Sequence, residues 1–183
     1  MTFFPTVKQF ISKALVPLGS TMYIYGGGWN ESDTGAGGSA RAIGASPCWK
    51  SFFESCRSDY DFRTCGGSRT SGLDCTGYIG WAVYNLFNDT DGKKGYVFKS
   101  SVLGERLSAL GLGSVTDERY IDSRRCGDIF YSEKHFHAYI AIGEYTDGSV
   151  LLLHSSPPGV MLSGTTSALG KYDSLAQRAA ALY

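Results

Sequence analysis

The stretch Leu73-Asp74-Cys75-Thr76-Gly77, with the apolar residues that follow it to position 87, decides how this chain is read. Ile79, Val83, Leu86 and Phe87 recur at helical spacing, so a helix is predicted after Cys75. Gly77 and Gly80 permit another segment to pack closely on it. A thiol at a helix start sits in the positive end of the macrodipole, which favours thiolate over thiol. A reactive thiol needs a base, and the chain has only three histidines to offer. Two of them, His137 and His154, fall at the ends of predicted strands.

Working outward, Val7, Phe10, Ile11, Ala14 and Leu15 make residues 6–16 an amphipathic helix that Pro17 and Gly19 end. Tyr23-Ile24-Tyr25 is short, aromatic and β-branched, and runs into Gly26-Gly27-Gly28, a tight turn or a close backbone approach. Residues 29–70 are rich in Gly, Ser, Arg and Asp and hold Cys48, Cys56 and Cys65. A long irregular loop of this kind in a compact domain is usually functional or mobile. Within it Trp49, Phe52 and Phe53 read as a short buried helical turn. Residues 88–92 read as a turn, and residues 101–110 as a further helix with a serine cap and Gly111 beyond its end. Strands are predicted at 128–131, 137–142, 149–154 and 160–162, with 143–148 closing a hairpin. No βαβ alternation is visible, so the sheet should be antiparallel. The expected fold is α+β, one domain over residues 1–183 with an insertion at about 29–70.

Composition narrows the function. Lys and Arg together number 17, as do Asp and Glu, so no net charge draws the chain to nucleic acid or an anionic membrane. No stretch approaches the roughly 20 apolar residues of a membrane span. The first twenty residues lack a basic opening and a continuous apolar run, so they do not read as a signal peptide. The chain is then either intracellular or a piece of an exported parent. Cys48, Cys56, Cys65 and Cys126 lack the close C-x-x-C pairs of a zinc site. They permit up to two disulfides in an exported protein, or free thiols in a reducing compartment.

Folding the hairpin near residues 144–147 brings His137 almost opposite His154 at one end of a sheet. If Cys75 reaches that end, the set contains a nucleophile, a base and a group that orients the base. The Cys75 N–H is then a natural oxyanion donor. Each residue also has a plainer reading. A cysteine on an apolar helical stripe is commonly structural. Asp74 is a natural helix cap, Tyr23 a sheet residue, and His135 a rival base or a solvated loop residue.

Four stretches together resemble the NlpC-type cell-wall cysteine peptidases, a compact branch of the papain-like fold. Tyr23-Ile24-Tyr25-Gly26-Gly27 is similar to that family's Y-V-W-G-G segment, and Leu73-Asp74-Cys75-Thr76-Gly77 to its F-D-C-S-G nucleophile motif. Cys126-Gly127-Asp128-Ile129-Phe130 is similar to its P-G-D-L-V segment, and His137-Ala138-Tyr139-Ile140-Ala141-Ile142-Gly143 to its H-V-G-I-Y-I-G strand. His154 falls where the family has its third catalytic residue. The order and spacing agree from Tyr23 to about Val160.

The resemblance implies N-terminal helices packed on a central antiparallel sheet, with the nucleophile at a helix start. It implies hydrolysis of peptidoglycan stem peptides, usually between D-γ-glutamate and a diamino acid. Cys75 would be the nucleophile, His137 the base and His154 its orienter. Tyr23 would line the cleft and Asp74 would contact the amine end of the stem. No metal or organic cofactor is implied, the expected state is a monomer, and the expected place is outside the cell or on its wall. Thr76 and Cys126 replace the family's serine and proline, and 46 residues separate Gly27 from Asp74, far more than the family's short connection. That insertion is expected to border the cleft and to bear on specificity. The same residues would also serve an N-acetylmuramoyl-L-alanine amidase or a thiol acyltransferase, and a wall-binding module without catalysis is the non-enzymatic alternative.

Overall fold

Thr6 opens the first helix, α1 (Val7–Ala14), through a reciprocal capping box. Its hydroxyl accepts from the Gln9 N–H, and the Gln9 side chain accepts from the Thr6 N–H. The computed structural model of the chain describes residues 5–28, 72–87, 96–117, 124–132, 136–146 and 150–164. The insertion expected at about 29–70, with its three cysteines and aromatic turn, lies outside the described residues, as does His135.

The second helix, α2 (Cys75–Phe87), begins at the cysteine itself and is buried from Cys75 to Asn85. A helix buried on all sides belongs at the centre of a core. On one side it packs on α1, where the Tyr78 hydroxyl donates to the Ala14 carbonyl at 2.6 Å. On the other it packs on the sheet, against Ala138, Ile140 and Leu153. Its glycines have the role the sequence assigns them. A β-carbon on Gly77 would collide with the Gly27 carbonyl, and one on Gly80 would lie 2.8 Å from the Val97 nitrogen.

A 3₁₀ turn at Ser100–Val102 leads into α3 (Leu103–Ala109). The serine cap expected there is absent: the cap position falls on Lys99 and then Val102, and neither gives a side-chain hydrogen bond. The exit agrees with expectation. Gly111 has φ +76°, and the Leu112 and Gly111 N–H groups donate to Leu107 and Ser108, a Schellman closure.

Four antiparallel strands follow in sheet order β1-β2-β3-β4. They are β1 (Ile129–Ser132), β2 (His137–Glu144), β3 (Val150–Ser156) and β4 (Gly159–Gly164). Helices on one face of an open antiparallel sheet make the architecture α+β. Alternation sorts the strands: Ala138 and Ile140 face the core, while His137 and Tyr139 lie on the other face. There Tyr139 stacks on Phe130 with ring centroids 5.3 Å apart.

What positions α2 is the segment just before it. Met22 bridges Gly72 in parallel and Gly159 in antiparallel fashion. The Leu73 N–H donates to the Met22 carbonyl at 3.0 Å. The Leu73 carbonyl accepts the buried Ser155 hydroxyl of β3 at 2.7 Å. Leu73 is thus held from both sides two residues before the cysteine. Replacing Ser155 by alanine leaves that carbonyl buried and unpaired. Ser155→Ala is therefore expected to lower stability by about 1–3 kcal/mol, read as a fall in the urea midpoint at unchanged slope.

Candidate active site

Asp74 caps α2. Its carboxylate accepts from the Gly77 N–H at 2.6 Å and from the Thr76 hydroxyl at 3.2 Å. The Gly26 and Thr76 N–H groups also donate to it. Burial pushes the Asp74 carboxyl up despite these donors. The aspartate therefore does the work of a helix cap.

Cys75 is 7 % exposed and follows directly. Its Sγ–H donates to the Phe136 carbonyl at 3.7 Å, so α2 delivers the thiol to the residue preceding His137. The sequence expectation of a thiol tipped towards thiolate fails. Burial first, and the Asp74 charge second, push Cys75 up to about 11, against the pull of the Ala138 N–H. Burial of the sulfur, with the Asp74 carboxylate adding to it, reverses what the bare helix start offers.

His137 and His154 do meet. His137 Nε2 and His154 Nδ1 are 2.8 Å apart, and the rings lie edge to face with centroids 5.0 Å apart. The sequence reading sets them almost opposite each other; the register sets them on a diagonal. Ile140 pairs with Leu153, which sets Tyr139 against His154 and leaves His137 two residues away along the diagonal. A bulge between Ala141 and Gly143 shifts the register beyond that point. The rings span the diagonal because imidazoles are long enough to reach across it.

Burial lowers both histidines, and the neighbouring His137 charge lowers His154 further, to about 4. Both rings are therefore neutral at pH 7, and one of the two nitrogens between them carries the proton. With Nε2 of His137 on His154, Nδ1 is the nitrogen left to act as a base. Nε2 of His154 is buried and meets no hydrogen-bond partner among the described residues.

The structure thus brings Cys75 to the start of β2 and pairs His137 with His154, but the thiol bonds to the Phe136 carbonyl and not to the imidazole. Tyr23 lies on the segment that borders this region, its N–H donating to the Pro158 carbonyl at 2.9 Å. Tyr25, two residues on, is 75 % exposed. The Gly27 carbonyl accepts from the Asp74 N–H at 3.0 Å, which seats this loop on the first turn of α2. Phe136 and Ser155 are the site residues that sequence reasoning misses. Ser155 reads as generic, and nothing in a phenylalanine before a strand signals its backbone geometry.

A cavity of about 200 Å³ lined by Arg124, Arg125, Cys126 and Glu144 lies towards the other end of β2, remote from the histidines. Cys126 is exposed and free. Among the described residues no group of three or more His, Cys, Asp or Glu is arranged to hold a metal ion, and no helix is long and apolar enough to cross a membrane. Against protein-family models, curated proteins and solved structures, the chain has no match.

Asp74→Asn keeps a capping side chain and removes the charge. Its expected effect is to bring the pH midpoint for iodoacetamide alkylation of Cys75, followed by peptide mass spectrometry, down below that of the wild type.

Proposed function

We propose that the chain is a cysteine hydrolase of papain-like fold that cleaves peptidoglycan stem peptides at the D-γ-glutamyl–diamino acid bond. The observation that carries this reading is one junction. The helix-start Cys75 meets β2 at Phe136, one residue from His137, and His137 is hydrogen-bonded to His154. Three separate stretches of the chain supply these parts to one place, which supports a joint role for them.

In this mechanism His137 Nδ1 takes the Cys75 proton and the sulfur attacks the scissile carbonyl carbon. His137 Nε2–H donates to neutral His154 throughout, so the imidazolium that forms is held in orientation. The Asp74 cap takes the Thr76 and Gly77 N–H groups, which leaves the Cys75 N–H for the developing oxyanion. His137 returns its proton to the leaving amine and a thioester on Cys75 results. Water, deprotonated by His137, then releases the acid and restores the thiol. Tyr23 lines the cleft, and Asp74 serves the stem amine from the position in which it caps α2. The protein acts as a monomer, outside the cell or at its wall.

The hydrogen bond from the thiol to a carbonyl favours one other reading, a wall-binding module whose thiol is inert. Release of stem fragments from defined muropeptides, followed by mass spectrometry, separates the two. Cys75→Ala is expected to lose about a thousandfold or more of the wild-type rate. Equal release by both proteins would remove the hydrolase reading, and release of the whole stem from its sugar would replace endopeptidase with amidase action. The pH profile carries a sign. Because burial lowers His137, its neutral, basic form persists below pH 6.5. The acid limb of kcat/KM is therefore expected below pH 6.5. His154→Ala is expected to lower kcat with little change in KM, and His154→Asn, which retains an acceptor, to recover part of the loss.

A further inference from the structure

Phe136 is the one non-glycine residue among the described residues with positive φ, at 49°. For a bulky side chain this left-handed region is a genuine outlier, of order 1–3 kcal/mol. Such a conformation persists only where other interactions hold it. Burial of the ring is not one of them, since Phe136 is 74 % exposed. In this conformation the Phe136 carbonyl accepts from the Cys75 thiol.

We propose that the Phe136 peptide is a latch on the nucleophile: in the resting protein its carbonyl holds the Cys75 proton, and the thiol turns to His137 only when that bond is exchanged. This rests on the reading of Cys75 as nucleophile and His137 as its base. The exchange needs no other reagent. The S–H···O=C hydrogen bond breaks, an S–H···Nδ1 bond forms, and the proton then passes from sulfur to His137 as the sulfur attacks. A hydrogen bond donated by the thiol stabilises its neutral form, so the latch opposes ionisation. Asp74 at the helix start is the charged group that bears on the thiol; from the sheet, His137 follows Phe136 directly, is paired with His154 and lies against Tyr139. The Ala138 N–H, which favours thiolate, lies on β2 next to His137 and is not part of the latch.

Phe136 is a positioning residue in this scheme, and backbone preference tests it. Gly and Asn accept positive φ and keep the carbonyl in place, whereas a β-branched residue does not. The pH midpoint of Cys75 alkylation, which ring removal alone does not move, is measured for wild type, Phe136→Gly, Phe136→Asn and Phe136→Val. The first three are expected to share a midpoint, and Phe136→Val to fall by about half a unit to one unit. One midpoint for all four proteins overturns the latch. Should Phe136→Val fail to fold, the infrared S–H band of the wild type decides, with Cys75→Ser as the blank. A band shifted down from that of a solvent-exposed thiol is expected, and an unshifted band overturns the latch. Loss of the hydrolase reading shows differently: wild type would release no stem fragment while the midpoint shift stayed, leaving Phe136 as partner of an inert thiol.

Discussion

Leu73 is the point on which the arrangement hangs. Its N–H is held by Met22 at the edge of the sheet and its carbonyl by the buried hydroxyl of Ser155. Both bonds are sheltered from water, so neither group has a substitute partner. With that peptide fixed, Asp74 falls where its carboxylate caps α2, and Cys75 becomes the first helical residue. The helix then runs through the core, buried almost throughout, and its first turn cannot shift without disturbing both α1 and the sheet. A thiol placed by a single peptide held from two sides is placed rigidly, which is what the proposed transfer chemistry at one atom would require.

Rigidity here comes with an electrostatic penalty. A rise of the thiol from an ordinary 9.0 to about 11 weighs about 3 kcal/mol against the thiolate. A helix terminus typically returns about 0.3–1 kcal/mol to a nearby anion. Burial and the capping carboxylate therefore outweigh the dipole, and the thiol rests neutral on the Phe136 carbonyl. In the proposed reaction the proton would be handed over during attack, with no standing ion pair. That accords with the proposed role of His154, which must remain an uncharged acceptor for the Nε2–H of His137.

Periodicity made much of the fold legible. Phe10 and Ala14 marked α1 and alternation in residues 137–142 marked the central strand, because burial on one face leaves a regular trace, while the apolar run after Cys75 marked α2, which is buried on all sides. Gly111 was legible as a helix end, since left-handed backbone demands glycine there. Pairing of the two histidines was legible from the hairpin, but its register was not. One bulge at Ala141–Gly143 changes who faces whom, and a bulge leaves no reliable mark in the residues around it. The direction of the Cys75 shift was hidden for a different reason. It depends on how deeply the sulfur is buried and on where the Asp74 charge points, both properties of the packed state. Phe136 was invisible because its side chain does nothing there that its backbone does not.

The central claim is that Cys75 forms a covalent thioester with its substrate. Mixing the protein with a defined muropeptide, quenching in acid and measuring the intact mass tests it at the bond itself. The account expects a transient adduct of the stem's acyl portion that maps to Cys75 and is absent from Cys75→Ser as a thioester. Stem cleavage without any such adduct on Cys75, or with full activity in a protein lacking that thiol, would contradict it.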